Sequence, residues 1–143
     1  MSIALSAILW YVAEGPRASR RVLKAKPFDR FARQNDIEDA ALCEAVQNAE
    51  KGLIDAKLGG GVIKQRVARS GGGKSGGFRT IIFFREQERA VFVHGFAKSD
   101  QGNITQQELR AFKAAAKIVL RLSNKQIDAA VEAGVYVELA CKE

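Results

Sequence analysis

Three blocks of hydrophobic patterning follow one another along the chain. In the first, Val22 to Lys26 reads as a short strand, and Pro27 breaks it and suits the first turn of a helix. Phe28, Phe31 and Ala32 recur at i, i+3 and i+4, which predicts a helix over 27–33. Asn35 with Glu38 three residues on predicts a capping box for a second helix. Its apolar stripe is Leu42, Ala45, Val46 and Ala49, and Gly52 is its stop. Leu53 to Leu58 reads as a connector.

The second block has period two. Val62 to Ala68 alternates, with Lys64, Arg66 and Ala68 on one face and Ile63, Gln65 and Val67 on the other. Phe78 to Arg85 is almost continuously apolar, as a strand buried on both faces would be. Glu86 to Glu88 turns the chain into a third strand, Ala90 to Lys98. Alternation there places His94 on the side of Phe92, Phe96 and Lys98. Short connections make the three an antiparallel meander. The third block returns to helical spacing. Thr105 with Glu108, and Ser123 with Gln126, are capping boxes. Leu109, Phe112, Ala116 and Val119 form the stripe behind the first, and Gly134 ends the second. Val135 to Leu139 is a final strand or a docked tail. The expected class is α+β: N-terminal helices, a sheet of three to four antiparallel strands with helices on one face, then C-terminal helices.

Length adds that 143 residues suit one domain with a modest core. We divide the chain into an extension over 1–20, a domain over 21–122, and a helix and tail over 123–143. The apolar run Ile3 to Val12 falls short of the about 20 residues a membrane span needs. Its cations, Arg17, Arg20 and Arg21, follow it, the reverse of a signal peptide. We leave the segment outside the fold as a poorly ordered extension; a membrane-surface role for it is the lesser alternative. Cys43 and Cys141 are far apart, with no CxxC spacing and no histidine companion. That supports neither a zinc site nor a disulfide framework, and it sets a reduced, cytoplasmic protein as the expectation.

Charge changes the picture more. The net charge is +7, which favours nucleic acid, an acidic protein or an anionic surface as partner. From Gly59 to Arg79 the chain carries Lys64, Arg66, Arg69, Lys74 and Arg79 and no acid, with eight of its thirteen glycines. This is a β-hairpin with a long basic tip. Its GGGKSGG run is not a P-loop: the glycine that motif requires falls on Ala68, and a strand rather than a helix follows. Lys64 and Arg66 project from one strand face about 6.5 Å apart along it, and Arg79 lies close by on the next strand. Three such cations can hold one or two phosphates, arginine bidentately. An idle solvated face usually interleaves acids among its cations. Lys74 at the tip is a phosphate contact or a solubilising charge, and Arg69 belongs to the same basic, candidate nucleic-acid-binding run. His94, the single histidine, is a satisfied core or edge residue in one reading and a general base or RNA contact in the other. Lys98 ends its strand beside Gly95 and Ala97, whose small size would leave room for a ligand. Phe78 and Phe96 read as core.

The run from about Val22 to Leu120 resembles the RelE/HigB family of bacterial toxin–antitoxin ribonucleases. The likeness is carried by the GGVIKQRVAR-x-GGGKSGGFRT hairpin and the GFAKS segment. The resemblance implies a RelE-like fold, helices layered on a curved antiparallel sheet. It implies ribosome-dependent mRNA cleavage without a metal or other cofactor, and neutralisation by a cognate antitoxin, a helix-turn-helix or short acidic helical protein. By family position Lys64, Arg66, Arg79 and Lys98 are the catalytic set, with Arg66 and Arg79 on the phosphate and Lys64 or Lys98 moving the proton. The chain departs from some relatives in having Ser99 after the matched lysine, and no tyrosine at the start of the last helix. A non-catalytic RNA- or ribosome-binding module of the same fold is the alternative.

Overall fold

The computed structural model describes residues 20–68, 77–97 and 104–141. The N-terminal extension, Arg69, Lys74 and Lys98 lie outside the described residues. Strands β1 (Arg21–Ala25), β2 (Ala56–Gly59), β3 (Val62–Val67), β4 (Phe78–Arg85), β5 (Arg89–Ala97) and β6 (Tyr136–Leu139) form one sheet in the order β2-β3-β4-β5-β1-β6. The helices are α1 (Lys26–Gln34), α2 (Asp39–Glu50), α3 (Gln106–Val119) and α4 (Asn124–Glu132).

The meander β3-β4-β5 is antiparallel as its short connections require. The rest of the sheet is larger than expected. It has six strands rather than three or four, and it is mixed, because β1 runs parallel to β5. β6 pairs antiparallel with β1. The connector reading of 53–58 also fails, since β2 begins at Ala56 and pairs with β3. Gly59, Gly60 and Gly61 all have positive φ; Gly59 ends β2, and Gly60 and Gly61 make the turn into β3.

Helices cover both faces, not one. On the first face α1 and α2 bury Phe28, Leu42 and Val46 against Val22, Ile82 and Phe92. On the second, Ala116 and Leu120 from α3 and its end, and Ile127 from α4, pack on Leu23, Val62, Ile81 and Phe83. Two-sided cover explains the apolar run of β4. Gly95 belongs to the first-face packing. A Cβ there would stand 2.4 Å from a ring carbon of Phe31, so its small size admits that ring rather than a ligand.

Helix ends follow local chemistry. Thr105 and Ser123 form the expected capping boxes with Glu108 and Gln126. Both α2 and α4 close with paired bonds around a glycine of positive φ. Leu53 N–H donates to Asn48 O and Gly52 N–H to Ala49 O; Val135 and Gly134 repeat this with Ala130 and Val131. The capping box at Asn35 does not form. Asn35 closes α1 instead, donating from Nδ2 to Phe31 O at 2.8 Å, and Glu38 is an N-cap without a side-chain bond.

Cys43 of α2 and Cys141, just beyond β6, are joined as a disulfide with Cα atoms 5.5 Å apart. This overturns the expectation of unpaired thiols. Pairing of β6 with β1 carries the tail under α2, where Cys141 packs against the first-face core.

Candidate nucleic-acid interface

The site is built on the second face, at the end of the sheet near the β3–β4 connection. In β3, Ile63, Gln65 and Val67 are buried, leaving Lys64 and Arg66 to the opposite face. Arg66 pairs directly with Arg79 of β4, and Lys64 with Ile81. One strand further on, Arg79 pairs with Phe96 and Ile81 with His94. Two cross-strand rows result: Arg66–Arg79–Phe96 and Lys64–Ile81–His94.

His94 reaches its row through an irregularity. The β4–β5 register shifts so that Ile81 opposes His94 while Ile82 opposes Phe92. Val93 is the extra residue of a β-bulge, a device that re-aims the side chains after it. Strict alternation had put Phe92 and His94 on one side. The bulge separates them. Phe92 stacks on Phe28 of α1 at 5.2 Å, while His94 lies against Phe96 and Phe112 on the second face. Its Nε2 is buried without a hydrogen-bond partner among the described residues.

The cations are not free of acids. Asp55, just before β2, places Oδ2 3.4 Å from Nε of Arg79 and Oδ1 3.9 Å from Nε of Arg66. The acid-free stretch of sequence thus acquires a carboxylate from outside itself. Arg79, whose side chain is 12% exposed, must lie across β3 to reach it, whereas that of Arg66 is 57% exposed. A cleft of about 490 Å³ opens beside this group between α2 and β3, its wall including Glu44, Asn48, Leu53, Asp55 and Arg66.

Other cations are committed to the fold. Lys24 lies 2.7 Å from Asp29 inside the first face. Arg21 binds Glu138 and Asp128, and those contacts hold its pKa above the ordinary arginine value. Arg89 donates to Val119 O and Leu122 O, closing the end of α3, and its burial pushes its pKa down. Lys64, Arg66 and Arg79, which the strand pattern had singled out, share the second face of adjacent strands. Phe78 and Phe96 are buried, at 2% and 5% exposure.

Sequence reading missed Asp55 and the bulge. The triple glycine at 59–61 was the available signal for the first, because a turn there implies a strand before it with Asp55 at its start. No local signal marks the bulge.

Among the described residues no group of three His, Cys, Asp or Glu could hold a metal ion, and no helix is long and apolar enough to cross a membrane. No curated protein matches the chain. A family model described as the RelE toxin of the RelE/RelB toxin–antitoxin system matches residues 20–139, a span that takes in every strand and helix above. The chain belongs to the RelE toxin family.

Proposed function

We propose that the protein is a ribosome-dependent endoribonuclease toxin that cuts mRNA and is neutralised by a cognate antitoxin. The observation that carries this reading is the pair of opposed arginines, Arg66 and Arg79, with Lys64 on the same face of β3.

RNA supplies its own nucleophile. The 2′-hydroxyl attacks the adjacent phosphorus, the bond from phosphorus to the 5′-oxygen breaks, and a 2′,3′-cyclic phosphate forms. One proton leaves the 2′-oxygen and one is returned to the departing 5′-oxygen. The enzyme must align the chain and stabilise the added negative charge on phosphorus. Fixed guanidinium groups do both, because they present donors to the non-bridging oxygens without reorganising. In this scheme Arg66 and Arg79 bind the phosphate, and Lys64 or Lys98 transfers the proton. His94 contacts the RNA beside them, and Arg69 and Lys74 are further RNA contacts.

The test is to express the wild-type chain and a Lys64→Ala/Arg66→Ala/Arg79→Ala variant in cells lacking the antitoxin, and to map mRNA 5′ ends. New ends within translated mRNAs and arrested growth are expected for wild type only. Wild type without new ends and without growth arrest would sink the nuclease reading and leave an RNA-binding module.

A further inference from the structure

We infer that Asp55 is a positioning residue for the two phosphate-binding arginines, an inference that rests on the nuclease reading. Arg66 and Arg79 face one another across adjacent strands. Like charges so placed repel, and two long side chains would swing apart into solvent. Asp55 is the carboxylate that meets both, one oxygen to each.

The atoms it uses matter. In each arginine the nitrogen nearest Asp55 is Nε, at 3.4 Å for Arg79 and 3.9 Å for Arg66, so both are ion-pair contacts on the inner side of the guanidinium. A carboxylate at the Nε side restrains each guanidinium while leaving terminal donors for a phosphate. An acid that merely stood in for the substrate would be expected at the terminal groups.

Asp55 is itself held by a buried device. Its backbone N–H donates to Gln65 Oε1 at 3.0 Å. Gln65, 4% exposed, donates from Nε2 to Ala45 O and Leu53 O, both at 2.9 Å. One glutamine side chain therefore ties β3 to α2 and to the turn that presents Asp55. The acid stands on a fixed backbone next to the strand that carries Arg66. Such indirect support for a binding group typically matters 10- to 100-fold, about the effect of a 1 Å misplacement.

Asp55 also removes a positive charge from the surface RNA would meet. Its loss should therefore separate two quantities that ordinary damage lowers together. In Asp55→Asn, single-turnover cleavage of mRNA on programmed ribosomes, at saturating protein, should slow about 10- to 100-fold. Affinity for a labelled oligoribonucleotide should hold or tighten, with a salt dependence no shallower than that of wild type. Asp55→Glu should restore part of the rate. An unchanged or faster rate in Asp55→Asn would overturn the inference, since it would make the acid idle or a competitor of the phosphate. So would parallel loss of rate and affinity, which would make it a general structural residue. Thermal melts of each variant show whether the fold is kept, and Asp55→Glu serves if Asp55→Asn does not fold. Absence of cleavage by wild type in the same assay would instead reject the nuclease reading itself.

Discussion

Arg66 of β3 stands directly opposite Arg79 of β4, and the two share a single carboxylate, Asp55. The arrangement makes them unequal. Arg66 is mostly solvated, so Arg66→Ala should change stability by no more than about 0.5 kcal/mol. It should still weaken RNA binding and lower the slope of log affinity against log salt by about 0.7, one phosphate contact on a single strand. Urea melts and salt-dependent binding titrations check the two halves. A large stability loss would mean Arg66 is a structural residue.

Gly95 gives a steric prediction. Gly95→Ala puts a methyl group 2.4 Å from a carbon of the Phe31 ring, which is packed between Phe28 and Phe78. The ring has to shift, at a cost of about 1–3 kcal/mol typical of overpacking. Denaturant unfolding measures it. No loss of stability would show that α1 sits less tightly on the sheet than described.

The Cys43–Cys141 bond closes a loop with a sequence separation of 98. On the chain-entropy account, a loop of that size is worth about 4–5 kcal/mol. Cys43→Ser/Cys141→Ser, or wild type in reductant, should lose up to that much, read as a lowered urea midpoint. The bond joins the tail to α2, so limited proteolysis should first release the segment after β6. Equal stability with and without reductant would show that the bond contributes nothing.

Lys24 and Asp29 form an ion pair with side chains 8% and 9% exposed, extended by Asp39 and Arg33. Asp29→Ala leaves the buried Lys24 with only the mostly exposed Asp39, at 3.4 Å, so it should cost about 3 kcal/mol, the lower end for breaking a buried pair. The double change Lys24→Met/Asp29→Leu should recover most of this, because no charge is left unpaired. A double variant no more stable than the single one would contradict that account.

Glu108 carries a pH prediction. Its carboxylate is held below the usual range, chiefly by the backbone N–H of Thr105 and also by the Thr105 hydroxyl. A carboxylate whose pKa is lower in the folded protein stabilises it above the unfolded value, about 4.3, and stops doing so as pH falls through the folded value. Glu108→Gln keeps the acceptor but does not titrate. Taking the pH from 6 to 3 should therefore destabilise wild type more than Glu108→Gln, as measured by urea unfolding at each pH. Equal losses would remove Glu108 from the acid response.

What was legible in the amino-acid order is what neighbouring residues decide together. Spacing of Phe28, Phe31 and Ala32, the Thr105–Glu108 and Ser123–Gln126 pairs, and the alternation of Lys64 and Arg66 all act within a few residues. Backbone geometry converts each directly into a helix, a cap or a strand face. The short links of β3, β4 and β5 likewise leave little choice but a meander. Tertiary structure alone decided the rest. β1 takes its place beside β5, β6 beside β1, and Cys43 beside Cys141, because burial of two apolar sheet faces rewards contacts that no local pattern announces. One extra residue at Val93 then turns His94 to the other face, and the β2–β3 turn brings Asp55 to cations that were acid-free in sequence. A pairing register depends on the partner strand, and the partner is chosen only when the sheet assembles.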